Sequence, residues 1–309
     1  MRDIVRIAHF SDLHLLDLAG VGAHRFLNKR LSGYANIRLK RGSIHRSSYV
    51  RAIAREIRRA GIDHVCVTGD LTNLALEPEF ELARNVLEDD LGLDPANVTV
   101  VPGNHDLYTR GALRSGRFAK YFAPFMVSDL PELAVDLGVG RFPIVKLRGP
   151  AAIIGLSSAV PRLPFVAAGV LGRPQLDALA KILAHPEVKR RTAVIALHHP
   201  AHNPRSRLKT LIEGLHDAPA LLEQLGALSH ALVLHGHLHR RLQRIHDTAG
   251  GTVHALGATS ASLHHDDEAK MAGFNVYEIA DVGTVTSVEA HVYVPDGDRF
   301  RMDSVPKHV

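Results

Sequence analysis

The sequence predicts an α/β fold, and three observations carry that prediction. Short β-branched runs alternate along the chain with stretches of helical periodicity. Five of those runs are followed closely by Asp, Asn or His, which is how open α/β sheets present side chains to a ligand beyond their carboxyl ends. The chain is also long enough for a sizeable core, with 309 residues, 46% of them hydrophobic and 22% charged.

In chain order, residues 3–10 read as a first, central strand that ends at the corner Asp12-Leu13-His14. From Leu18 to Arg55 there is no Asp or Glu, while Arg25, Lys29, Arg30, Arg38, Lys40, Arg41, Arg46 and Arg51 all fall there. Such a stretch is either a solvated basic face or a loop or short helical insert that attracts a phosphate-bearing or acidic partner. Residues 48–60 carry Val50, Ile53, Ala54 and Ile57 at helical spacing, and Gly61 stops them. Residues 63–68 form the second strand, delivering Asp70 through Gly69. Asn73 then either supports a neighbouring ligand or caps a helix over 77–91.

The third strand, 98–101, is stopped by Pro102-Gly103, so Asn104, His105 and Asp106 are displayed just past its end. Between 108 and 139, Phe118, Tyr121, Phe122 and Phe125 predict a helix whose rings either pack the core or stack on substrate. A hairpin is expected for 144–147 and 151–156 about Gly149-Pro150, beginning a second sheet. A helix follows over 174–183, then a strand over 192–197 delivering His198. Arg205, Arg207 and Lys209 lie in a segment able to reach over the site. A helix over 218–228 and a strand over 230–234 lead to His237 and His239, two apart on an extended turn. Short β runs from 242 to 294 read as a sheet edge, and the polar stretch from Pro295 to Val309 as a fraying tail.

The residues at the five strand ends, Asp12, His14, Asp70, Asn104, His198, His237 and His239, offer oxygen and imidazole donors with no thiolate. They suit divalent Mn, Fe, Zn or Co. His198 and His199 compete for one place, and alternation along an extended chain leaves His199 pointing away. The single Cys66 lies inside an apolar run, where it packs as a small hydrophobe and permits no disulfide within the chain.

The order D-x-H, G-D-x-x-N, G-N-H-D, H-H-P and G-H-x-H, running from Asp12 to His239, resembles the calcineurin-like metallophosphoesterase superfamily. The resemblance implies a four-layer α-β-β-α sandwich of two mixed sheets flanked by helices, here as one domain over 1–294 with a basic insert at 18–46 and a tail at 295–309. It implies two divalent metal ions. Asp12, His14, Asp70 and His239 would hold one, and Asp70, Asn104, His198 and His237 the other. A metal-bound hydroxide would then split a phosphodiester by in-line attack. His105 would protonate the leaving group, with Asp106 either orienting it or serving the local structure.

Motif forms and chain length are similar to class III cyclic nucleotide phosphodiesterases, implying a small phosphodiester substrate. A second reading is a lipid-linked pyrophosphate or diester hydrolase similar to UDP-2,3-diacylglucosamine pyrophosphohydrolase, whose acidic lipid would meet the basic 25–46 segment. A nuclease is a third reading, since net charge is +5 and the pI near 9.4. Aromatic residues in the basic segment are few, only Phe26 and Tyr34. A non-enzymatic scaffold is disfavoured because every ligand position is filled. With no signal-peptide pattern at the start and no span of apolar residues, the chain is expected to be cytoplasmic, at most peripheral to the inner membrane face.

Overall fold

The computed structural model describes residues 4–36, 44–204, 206–281 and 283–307. Arg38, Lys40 and Arg41 of the basic stretch lie outside the described residues. The chain opens with β1 (Val5–Phe10), then α1 (Lys29–Asn36), α2 (Ser47–Arg59), β2 (His64–Val67), α3 (Glu77–Asn85) and β3 (Val98–Val100). Two short helices follow, α4 (Arg110–Arg114) and α5 (Arg117–Phe122), and then the small pair β4 (Val135–Asp136) and β5 (Arg141–Phe142). The second half holds β6 (Ile144–Arg148), β7 (Ala151–Gly155), α6 (Arg173–Ala184), α7 (Pro186–Lys189), β8 (Thr192–Ala196), α8 (Arg207–Glu213), α9 (Ala218–Leu225) and β9 (His230–His235). Five strands complete the chain: β10 (Leu242–Asp247), β11 (Thr252–Gly257), β12 (Gly273–Asp281), β13 (Thr284–Val294) and β14 (Arg299–Ser304).

Two six-stranded mixed sheets result, one ordered β14-β13-β12-β1-β2-β3 and the other β10-β11-β9-β8-β7-β6. Period-two alternation explains their stacking. Ile7 and Cys66 of the first sheet join Ile153, Val194 and Leu232 of the second in one apolar layer between the sheets. Their neighbours Ala8, Val65 and Val67 face outward onto Val50, Ile53, Ile57 and Phe80 of α2 and α3. On the far side, Ile154 and Ile195 pack on Leu179, Ile182 and Leu221 of α6 and α9. Helix, sheet, sheet and helix therefore form the four layers expected. Cys66 is fully buried, and burial pushes its thiol up, as suits a packing residue.

Strands β1, β2 and β3 run parallel, as do β7, β8 and β9, so the functional ends of each sheet emerge on one side. Phe118, Phe122 and Phe125 are buried in the first outer layer, which settles their role as packing.

Two expectations are corrected. The region from 242 to 294 is not only a sheet edge. β12 is nine residues long and pairs on one side with β1 and on the other with β13, inside the first sheet. Among the described residues, the stretch after Pro295 is not a fraying tail. β14 pairs with β13 from Glu289↔Ser304 to Val294↔Arg299, and Lys307 bridges to Gln243. Its polar composition misleads because an edge strand at the solvent needs few apolar residues.

Candidate metal centre

Five strand ends meet at one place, and the backbone there is held in an unusual shape. Asp12, His14, Asp70, His237 and His239 all have φ between 44° and 67°. For residues with a Cβ this left-handed conformation costs roughly 1–2 kcal/mol each. It persists because the loops clamp one another: the amide of Asp12 donates to the Gly69 carbonyl and that of His14 to the Asp70 carbonyl, both at 2.9 Å. Ser260 Oγ donates to the Asp12 carbonyl at 2.6 Å. Gly103 is required by close approach, since a Cβ there would fall on the Asp70 carboxylate and amide. Strain gathered on five candidate ligands is an observation that points to function.

The side chains form two groups that share Asp70. In one, His239 Nε2 lies 3.1 Å from Asp12 Oδ1 and 2.9 Å from His14 Nε2, which is itself 3.9 Å from Asp70 Oδ2. In the other, His198 Nε2 lies 3.4 Å from Asp70 Oδ2 and 3.1 Å from Asn104 Oδ1. His237 Nδ1 is 3.2 Å from that Asn104 oxygen and 3.3 Å from His198 Nε2.

Each carboxylate divides its work. Asp12 Oδ2 accepts from the His237 amide at 3.0 Å and Asp70 Oδ1 from the His105 amide at 2.7 Å, leaving the other oxygens to face imidazoles. Asp12 Oδ1 is buried and accepts no hydrogen bond.

Backbone carbonyls fix the imidazole tautomers, because a carbonyl can only accept. His198 Nδ1 donates to the Thr68 carbonyl at 2.7 Å, which turns Nε2 inward. His237 Nε2 donates to the Glu213 carbonyl at 2.9 Å, which turns Nδ1 inward. His237 and His239 thus reach different groups. The turn carrying them is left-handed at both positions, which corrects the expectation of an extended turn.

The donor set fits two cations. Bonds of about 2.0–2.2 Å to nitrogen or oxygen place ligands of one ion roughly 3.0–3.5 Å apart, close to the spacing seen within each group. Charge agrees. Burial works against ionising Asp70, yet the imidazoles of His198, His105 and His14 hold its carboxyl well below the usual range. Burial, then neighbouring histidines, keep His14 and His237 neutral, as ligands must be. His198, despite burial, is pushed up to about 9 by the Asp70 charge, so a proton there occupies the place a cation would take.

The remaining candidates take definite positions. A ring nitrogen of His105 lies within 4.8 Å of the ligand atoms of His14 and Asp70. Its Nδ1 donates to the Asn73 carbonyl at 2.7 Å. Asp106 does not orient it. That carboxylate accepts from the amides of Gly103, Thr72 and Leu71 and from Thr72 Oγ1, and so staples the second motif loop to the third. Burial first, and then Asp70, push the Asp106 carboxyl up against the pull of those amides.

Asn73 does not cap α3. Its Nδ2 donates to the His14 carbonyl, and Glu79 serves the helix start by accepting from the amides of Leu74 and Leu76 at 2.9 and 3.0 Å. His199 lies near His198 and His237, but Ser158 Oγ and the Ala167 carbonyl engage its ring nitrogens at 2.8 and 2.7 Å.

Three neighbours escaped sequence reasoning as parts of the site. Tyr108 stacks on His105 with ring centroids 5.4 Å apart, and Lys29 Nζ sits 4.4 Å from the Tyr108 centroid. His45 packs edge-on against His14 at 5.1 Å. The basic stretch marked Lys29; nothing in the sequence marked the other two.

The whole-chain architecture is similar to the crystal structure of a dimetal phosphatase from Danio rerio, at 13% identity and TM-score 0.56, covering 97% of this chain and 99% of that one. It is also similar to the purple acid phosphatase PPD1 from yellow lupin (Lupinus luteus), at 11% identity and TM-score 0.56, covering 98% of this chain and 54% of that one. At such identities the likeness concerns the fold. Among curated proteins none matches the sequence. The profile of calcineurin-like phosphoesterases matches residues 5–241, a span that starts at β1 and ends just beyond His239, so the chain belongs to the calcineurin-like phosphoesterase family.

Proposed function

We propose that this phosphoesterase is a dinuclear-metal phosphodiesterase, and that one observation carries the reading: Asp70 Oδ2 faces both ligand groups, with His14 on one side and His198 on the other. Asp12, His14, Asp70 and His239 would hold one cation, and Asp70, Asn104, His198 and His237 the second. When bound, the pair supplies Lewis acidity to the phosphoryl oxygens and an activated water for in-line displacement. The chain's own residues do the rest. The Thr68 and Glu213 carbonyls set the tautomers of His198 and His237, so that a cation replacing the inward proton would meet their lone pairs. The Asn73 carbonyl holds a proton at His105 Nδ1, so in the imidazolium form the second proton, on Nε2, is the one passed to the departing alkoxide, leaving the neutral Nδ1–H tautomer. Asp106 keeps the loops of Leu71 and Gly103 in register and does not touch the reacting atoms.

Two substrate readings are supported by different observations. The G-N-H-D and H-H-P forms support a small diester of the cyclic nucleotide type. Beside His105 lies a cleft of about 170 Å³ lined by Lys29, Asn73, Asn104 and Tyr108, which offers an ammonium and a ring to such a molecule. A lipid-linked diester is supported by the apolar surroundings of the same cleft, where Phe165 is 88% exposed.

The test is hydrolysis, in the presence of Mn²⁺, of bis(p-nitrophenyl) phosphate, cyclic AMP, UDP-diacylglucosamine and single-stranded DNA. Metal-dependent turnover of the first, with one of the next two preferred, supports the proposal. No turnover of any ester with any of Mn, Fe, Zn or Co would overturn it and favour a scaffold.

A further inference from the structure

Two segments line the cleft, 23–36 with α1 and the loop 160–172, and a third, 206–213 with α8, adjoins the loop. They touch in sequence. Lys29 Nζ donates to the Arg162 carbonyl at 3.3 Å, and the Ala167 amide donates to the Ile212 carbonyl at 2.7 Å. The last of them reaches the centre, where the Glu213 carbonyl accepts from His237.

Each segment leaves large apolar side chains in solvent. Leu27 and Leu31 stand on the first, Leu163 and Phe165 on the second, and Leu208 and Leu211 on the third, with Leu27 83% and Leu163 73% exposed. Scattered exposed leucines are ordinary, but six large apolar side chains on three contiguous segments beside one opening are not. Charge is equally one-sided. Lys29, Arg162, Arg207 and Lys209 stand on these segments against one exposed acid, Glu213, while Arg30 is buried and Arg25 is paired with Glu77. An apolar surface set among an excess of cations matches the interface of an anionic bilayer, where apolar side chains enter the acyl boundary and cations meet headgroup phosphates. No helix among the described residues is long and apolar enough to cross a membrane, so contact of this kind is peripheral.

We propose that this brim is a docking surface for an anionic lipid bilayer, seating the chain with its cleft at headgroup level. That the docked cleft acts on an ester there rests on the function proposed above; docking itself does not.

The experiment is flotation of the whole chain with extruded vesicles of phosphatidylglycerol and phosphatidylcholine, against vesicles of phosphatidylcholine alone. The parent should float with the anionic vesicles and release as salt rises. A variant with Leu27→Ser, Leu163→Ser, Leu208→Ser and Leu211→Ser should bind them at least about tenfold more weakly. Arg207→Glu with Lys209→Glu should weaken binding to anionic vesicles alone. Turnover of bis(p-nitrophenyl) phosphate in free solution reports folding and should match the parent in both variants. A parent that does not float, or a serine variant that floats equally, overturns the proposal. So does a parent that sediments as a dimer and a serine variant that sediments as a monomer, because a second copy would then cover the brim. If no ester is hydrolysed yet the parent floats and the variants do not, docking stands while the catalytic reading fails; thermal melting then replaces turnover as the folding check.

Discussion

The strand-end centre and the brim above it are both made of connecting loops, yet they are built on opposite terms. At the centre, polar side chains are buried, backbones are held in a disfavoured conformation, and the motif loops hydrogen-bond to one another through their backbones. At the brim, apolar side chains face solvent and the segments meet through a few backbone contacts. The difference teaches where each region's ligand must come from. Strain of about 1–2 kcal/mol at each of five residues is retained only where many contacts over-determine one geometry. An exposed leucine needs no such support and acquires a partner only from outside the fold.

If the centre is rigid by mutual clamping, the largest loss should follow from a residue that bears no ligand atom. Gly103→Ala places a methyl on the Asp70 carboxylate. Activity toward a soluble diester should fall by at least about a hundredfold, with bound metal falling alongside, as in other cases where ligand placement is disturbed. Metal analysis of a well-folded Gly103→Ala chain that gave parental content and turnover would show the loops to be slack.

His105→Ala should cost less. Loss of a general acid slows turnover at least about tenfold, and metal content should stay at the parental level because Asn104, not His105, belongs to the ligand group. Rates equal to the parent at every pH would remove His105 from the chemistry.

Between the two regions lies the start of α3, where burial, opposed by amide donors, pushes the Glu79 carboxyl up to about 8. The folded chain then holds a proton there that the unfolded chain releases near 4.5. The group's contribution to stability is complete below about 4.5 and is lost as pH rises through 8, by a few kcal/mol at most. Urea unfolding from pH 5 to 9 should show the parent losing more stability than Glu79→Gln; parallel curves would contradict the shift. Smallest of all, Leu163→Ser at the brim should change stability by no more than about 0.5 kcal/mol. A larger drop in its unfolding midpoint would mean that the brim is part of the core.

How much of this was legible in the sequence follows the same division. Strand ends were readable because β-branched runs stop at Gly, Pro or polar residues, so Asp12, Asp70, Asn104, His198 and His239 could be placed before any coordinates. The partners of those side chains were not readable. Asn73 and Asp106 each had two plausible uses, and the choice depended on loops 30 or more residues away: His14 for the first, Leu71 and Thr72 for the second. Sequence reasoning also took polarity as a sign of fraying, whereas β14 is fixed by a partner strand rather than by its own side chains. His45 and Tyr108 carry no local signature, since contact with His14 and His105 is set by the packing of distant segments.

The central claim is that one carboxylate joins two ion sites, and metal stoichiometry tests it most directly. The parent chain, reconstituted with Mn²⁺ and freed of excess, should bind two equivalents per chain, and Asp70→Asn should bind one or none while keeping the parental fold by circular dichroism. Two equivalents retained by a folded Asp70→Asn chain, or no specific binding by the parent, would contradict it.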